Sequence, residues 1–206
     1  MCGRFALISD LSDLTDALAV DEVQCEYRPS GNIAPGRDIA AVVFDGRRRL
    51  VHLRWGLIPS WARDRQKNRG FINARAETVA DKPSFKSAFR KGRCLIAADG
   101  FYEWEKQERR KVPHYFQLKG KRPFAFAGLY ETWTAPDARQ VRTCAIITTE
   151  ANELIAPIHD RMPVILSRVQ QAAWIEPDGD RSRLLSLLTP YPEQDMIATA
   201  APTPSP

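Results

Sequence analysis

Arg93-Cys94-Leu95-Ile96-Ala97-Ala98-Asp99-Gly100-Phe101-Tyr102-Glu103-Trp104 is an apolar run that passes through an Asp-Gly pair into an aromatic one. A short apolar run of this kind, following Gly92, reads as a strand at 93–98. The charged residues 105–111 then make a hairpin tip, and further strands are predicted at 114–118, 123–129 and 141–148. Upstream, IAAVVF (39–44) turns at Asp45-Gly46 into a return strand at 49–55, with Val51, Leu53 and Trp55 on one face. Residues 4–8 add a short strand, and 164–166 another. The stretch 71–77 (FINARAE) has a period of two, which sets Phe71, Asn73, Arg75 and Glu77 on one face. Helices are few. One follows Ser9 or Asp10 as its cap and carries Leu11, Leu14 and Leu18; others are predicted at 83–91, 168–175 and 181–188, with a helical turn at 150–155. Residues 21–38 read as loop, and the Pro-, Ala- and Thr-rich end from Thr189 is expected to fray. Many strands, few helices and no repeat or linker give one α+β domain over 2–188, with a tail at 189–206.

The chain has 206 residues, 44% of them hydrophobic, enough for a substantial core. No apolar run approaches the roughly 20 residues of a membrane helix, and no signal peptide precedes Cys2. Cys2, Cys25, Cys94 and Cys144 form no C-x-x-C pair, and His52, His114 and His159 lack metal-ligand spacing. These features point to a reducing, cytoplasmic setting with no disulfide framework, metal or cofactor. The net charge of +5 suits a polyanionic partner.

The first residues, Met1-Cys2-Gly3-Arg4, carry the most unusual chemistry. Removal of Met1 makes Cys2 the N-terminus, a 1,2-aminothiol. Its amine, with a pKa of about 7.7–8.0, condenses with an aldehyde to an imine, and its thiol then closes a thiazolidine. Arg4 is expected to lower the thiol's pKa. Asn73 offers donor and acceptor groups, and Arg75 suits a phosphate; Glu77 is a partner for Arg75 or Arg4. Glu103 among Phe101, Tyr102 and Trp104 is a candidate for a carboxyl raised by desolvation into a proton donor. His159, in a loop fixed by Pro157 and Pro163, has Asp160 beside it to orient the ring, and Arg161 to reach a phosphate. Trp61, in the WGLIPSW turn, is placed to stack on unpaired bases, while Trp55 belongs to the core. Each has a plainer reading: a packed Cys2, a solvated strand face at 73–77, a strand-edge Glu103 and a structural histidine. The basic residues of 63–69, and Lys106 with 109–111, read as solvated tips.

CGRF (2–5), NIAPG (32–36), WGLIPSW (55–61), NARAE (73–77), ADGFYEW (98–104) and IHDRMP (158–163) occur in order. Together they resemble the SRAP family, the SOS response-associated peptidase-like proteins, from Cys2 to about Leu188. The resemblance implies a compact domain with a twisted, mostly antiparallel, barrel-like sheet and a positive cleft. It implies a sensor and shield of abasic sites in single-stranded DNA, acting as a monomer through a thiazolidine crosslink at Cys2. It further implies Asn73, Glu103 and His159 as catalytic partners, and Arg4, Pro35, Trp61, Arg75, Lys86, Thr148 and Arg161 as DNA contacts. An abasic-site lyase side reaction and peptidase-like removal of Met1 come with it. The chain's end lacks the family's pattern of a further strand and Asn-containing tail, so a closing strand is expected to be absent, truncated or replaced. Two other classes share parts of the pattern. N-terminal-nucleophile hydrolases also begin Met-Cys-Gly, and a non-covalent single-strand binder needs only the basic and aromatic residues.

Overall fold

The computed structural model describes residues 2–62, 70–108, 110–135 and 137–200. In chain order its elements are β1 (Phe5–Leu7), α1 (Leu11–Leu18), β2 (Glu22–Val23), β3 (Ser30–Ile33), β4 (Asp38–Phe44), β5 (Arg48–Trp55), β6 (Asn73–Arg75) and α2 (Lys86–Lys91). They continue with β7 (Arg93–Ala98), β8 (Gly100–Gln107), β9 (Arg110–Leu118), β10 (Phe124–Thr134), β11 (Gln140–Glu150), β12 (Arg161–Pro163) and β13 (Ile165–Leu166). Last come α3 (Arg168–Ile175), α4 (Arg181–Ser186) and β14 (Met196–Ala200).

β5, β4, β7, β10 and β11 pair antiparallel in that order. A short parallel contact, Thr143 with Arg54 and Cys144 with Trp55, joins β11 back to β5 and closes the barrel. A second sheet, β14–β9–β8–β1–β3, is antiparallel throughout. The chain passes between the sheets at Asp99. Its backbone N–H donates to Ala6 O, and its carboxylate accepts from the N–H groups of Ile8 and Ser9 and from Ser9 Oγ.

Alternation along the strands divides the apolar side chains between two cores. Ile39, Ala41, Val51, Leu53, Trp55, Cys94, Ile96, Phe126, Cys144 and Ile146 form one, continuous with Phe5, Phe101 and Phe116 of the second sheet. Ala40, Val42, Leu95, Ala97, Ala125, Ala127, Ala145 and Ile147 form the other, beneath Leu14, Leu18, Phe89, Trp174 and Leu184 of the helices. With both faces covered, β7 is buried at all six positions, which is why the 93–98 run lacks polar alternation. Arg93 is the exception to apolarity. Its guanidinium donates to the carbonyls of Phe89, Arg90, Trp174, Glu176 and Pro177, tying the ends of α2 and α3 together.

Several expectations are corrected. The 21–38 segment contains β3, which finds an edge on β1. The strand at 71–77 is only Asn73–Arg75, and Phe71 instead bridges Leu57. The strand at 164–166 is divided at Val164, whose N–H goes to Ile147 O and whose O accepts from Ala127 N. Asp10 caps α1 by backbone position alone, because Ser9 is held by Asp99. The tail does not fray from Thr189: Met196–Ala200 pairs with Leu118–His114 as β14, so a closing strand is present, not absent. The basic stretch 63–69 lies outside the described residues.

Candidate active site

Four separate segments bring Cys2, Asn73, Glu103 and His159 to one place. Phe5 pairs with Phe101, and Tyr102 N donates to Arg4 O. Carried two residues further, that register sets Gly3 opposite Glu103, next to Cys2. β6 runs parallel to β11, with Asn73 opposite Ile146, and Asn73 Nδ2 donates to Cys2 O at 2.9 Å. Asn73 Oδ1 is buried without a partner among the described residues. His159 ends the turns after Asn152, its N–H donating to Ile155 O. His159 and Glu103 line one cavity of about 400 Å³ with Trp104, Lys106 and Lys111.

Glu103 is 3% exposed, and its carboxyl is pushed up to about 7. Burial is the larger cause; the positive charge of the chain's amino terminus pulls the other way, and Asp160 adds to the rise. The Cys2 thiol is also pushed well up, first by burial and then by the Glu103 charge. This corrects the expectation that Arg4 activates it. The Arg4 guanidinium donates to Asn32 Oδ1 at 3.0 Å, and only its carbonyl approaches Sγ, at 3.9 Å. His159 is held below its usual value by burial, with the terminal charge second. Its Nδ1 lies 3.0 Å from Arg161 N and 2.9 Å from Asp160 Oδ1. These two contacts compete. A backbone N–H only donates, so Nδ1 is the acceptor in the neutral ring and the proton sits on Nε2. The exposed Asp160 accepts only from a ring that carries a proton on Nδ1. The depressed pKa favours the first arrangement.

The expected DNA contacts divide into four groups. Pro35 and Arg75 are exposed, and Trp61 is 63% exposed. The loop beneath Trp61 is anchored from inside: Ile58 N to Thr143 Oγ1, Ser60 N to Glu131 Oε2, and Trp133 Nε1 to Ala62 O. Arg4 and Arg161 are already engaged. Arg161 forks onto Glu77 and donates to Thr148 O at 2.6 Å, so Glu77 pairs with neither Arg75 nor Arg4. Thr148 is fully buried and does not line the surface. Lys86 lies elsewhere, on a cavity of about 700 Å³ between α2 and residues 177–184.

Three features escaped the sequence reading. Asn152, buried, donates to Tyr191 O and fixes the chain end. Asp99 anchors β1. Lys106 and Lys111 line the site cavity rather than a free tip. Only the i, j pairing of the hairpin shows the last, and tip composition conceals it. Among the described residues, no helix is long and apolar enough to cross a membrane, and no three His, Cys, Asp or Glu side chains are grouped to hold a metal.

A family model described as SOS response associated peptidase matches residues 1–203. The chain belongs to the SRAP family. Among its SRAP relatives, the abasic site processing protein YoqW of Bacillus subtilis is 47% identical over 203 residues, covering 96% of this chain and 91% of that protein. YedK of Escherichia coli, also an abasic site processing protein, is 31% identical, covering 85% and 79%. Xenopus tropicalis HMCES, another, is 30% identical over 81% of this chain and 63% of its own length. A crystal structure of a Bacteroides thetaiotaomicron protein superposes with a TM-score of 0.84 at 26% identity, covering 97% of this SRAP chain and 91% of that one. The barrel-like α+β fold is thus shared.

Proposed function

We propose that this SRAP protein captures abasic sites in single-stranded DNA through Cys2 once Met1 has been removed. The observation that carries the reading is a buried carboxyl near neutrality and a neutral imidazole on one small cavity, with Cys2 beside Glu103 and Asn73 on the Cys2 carbonyl. Glu103, its carboxyl raised by burial, gives a proton to the ring oxygen and takes up that of the anomeric hydroxyl as the abasic sugar opens to its aldehyde. Its carboxylate form takes a proton from the attacking amine. The carbinolamine loses water to give an imine, and the thiol adds to the imine carbon while its proton passes to nitrogen. The result is a five-membered thiazolidine. The raised thiol pKa makes the amine the first nucleophile, because the thiolate is scarce. Asn73 fixes the carbonyl of the reacting residue, and its free Oδ1 accepts a hydroxyl of the opened sugar. His159, donating from Nε2, steadies the sugar's departing oxygens.

The relatives' common description as abasic site processing proteins supports the substrate class. An imine also acidifies the adjacent sugar carbon, so strand scission by β-elimination is a side reaction that thiazolidine closure suppresses. Met1 removal is the one peptidase-like step in this reading.

The test is incubation of the purified protein with a single-stranded oligonucleotide carrying one abasic site, followed by a denaturing gel. A heat-stable adduct is expected, and none from Cys2→Ser. An equal adduct from Cys2→Ser, or none from protein whose mass shows Met1 removed, defeats the proposal.

A further inference from the structure

The cavity that holds Glu103 and His159 has two cationic residues in its wall that the chemistry above does not use. Lys106 and Lys111 both line it. They are register partners on the β8–β9 hairpin, one rung below its last pair, Gln107 with Arg110. Like charges directly opposite on an antiparallel pair destabilise the hairpin, and an anion between them removes that cost. Glu105, the neighbouring carboxylate on β8, does not supply it, since its Oε2 lies 3.2 Å from His114 Nε2. Among the described residues neither lysine forms an ion pair. Of the three arginines expected at the site, two are committed elsewhere, Arg161 to Glu77 and Thr148, and Arg4 to Asn32, while Arg75 is exposed. The cavity mouth therefore offers two unpaired ammonium groups within reach of the reacting groups.

We propose that Lys106 and Lys111 form a phosphodiester site that holds the DNA backbone beside the abasic sugar. This rests on the abasic-DNA reading of the same cavity and adds which groups place the strand in it. Two ammonium groups suit a phosphate that threads past, because Lys acts as a point charge without the fixed fork of Arg. The phosphate relieves the cross-strand repulsion, so the hairpin is most ordered when DNA is bound.

The probe is a fluorescent single-stranded oligonucleotide in which tetrahydrofuran replaces the abasic sugar. It has no aldehyde and binds without crosslinking. Affinity is measured against salt for the wild type, for Lys106→Ala/Lys111→Ala and for Lys106→Arg/Lys111→Arg. The slope of log affinity on log salt should become shallower by about 0.7 for each lysine removed. The arginine pair should restore it. A neutral methylphosphonate at one of the linkages flanking the analogue should weaken wild-type binding as much as the alanine pair does, with little further loss when the two changes are combined. A wild-type slope in the alanine variant overturns the proposal, as does a methylphosphonate loss that persists in full in that variant. Insensitivity to methylphosphonate at both linkages, with inorganic phosphate still competing, assigns the lysines to a free anion and also overturns it. Because the probe cannot crosslink, this outcome is read whether or not the covalent chemistry holds.

Discussion

Glu103 has the most consequential environment of any residue in the site: it lies inside β8, between the core ring of Phe101 and the half-buried Trp104, with its carboxyl near 7. An unfolded Glu titrates near 4.3–4.5. Between that value and about 7 the folded state holds a proton that the unfolded state has lost, so stability falls as pH rises through this window. The shift corresponds to about 3 kcal/mol at full ionisation. Glu103→Gln removes the ionisation but keeps the shape. It should leave stability unchanged at pH 4 and raise it by up to about 3 kcal/mol at pH 8, read as the denaturant midpoint at the two pH values. The same variant should slow crosslinking by about a hundredfold or more with binding to the tetrahydrofuran oligonucleotide retained. An unchanged rate removes the acid–base role. At this scale the sequence was legible where chemistry is local. Cys2, Asn73, Glu103 and His159 stood out by residue type and neighbours, and the structure brings them together. Partners distant in sequence were not legible: Asn32 for Arg4, Glu77 for Arg161, and the burial that raises rather than lowers the Cys2 thiol.

The elements show the same division. The strands from 39 to 55 and from 93 to 148 were readable in place because apolar runs and a tight Asp-Gly turn act within a few residues, but the tip read at 105–111 is strand through Gln107 and again from Arg110. β3 and β14 were not readable, because these short stretches, SGNI and MIATA, become strands only by docking on the edges of β1 and β9. Barrel closure was equally hidden, since it rests on two residue pairs between β5 and β11. What the barrel demands of its filling is seen at Gly128 in β10. A Cβ there would stand 2.7 Å from Cys94 Sγ and under 3 Å from Ile96. No positive φ is involved; the requirement is space on the inward face. Gly128→Ala should therefore destabilise by about 1–3 kcal/mol through overpacking, measured as a lower denaturant midpoint with an unchanged slope. Recovery on adding Cys94→Ala would confirm the contact, and additivity of the two changes would reject it.

For the whole molecule, the end of the chain is coupled to the site. β14 covers the open edge of β9 and sets Met196 into the same core as Cys2 and Phe5. Asn152 grips this segment, its Nδ2 2.7 Å from Tyr191 O and 3.3 Å from Met196 Sδ, while its Oδ1 accepts from Ile155 N. Ile155 O in turn accepts from the N–H groups of Ile158 and His159. A continuous chain of hydrogen bonds thus runs from the C-terminal segment to the backbone of His159. Removing residues 189–206 takes away the partner of Asn152 Nδ2 and leaves that buried amide unsatisfied, a loss of about 1–3 kcal/mol. The turns from 152 to 159 should loosen beyond any general loss of stability. Hydrogen exchange separates the two effects: amides of Ile155, Ile158 and His159 should exchange about tenfold faster than the truncation accelerates those of β7, which report global opening. Asn152→Ala, with the chain end intact, should reproduce the local acceleration, and both variants should slow crosslinking more than Cys2-independent DNA binding. Uniform acceleration across β7 and the 152–159 turns would mean that β14 serves only to cover an edge, and that His159 is positioned by its own loop.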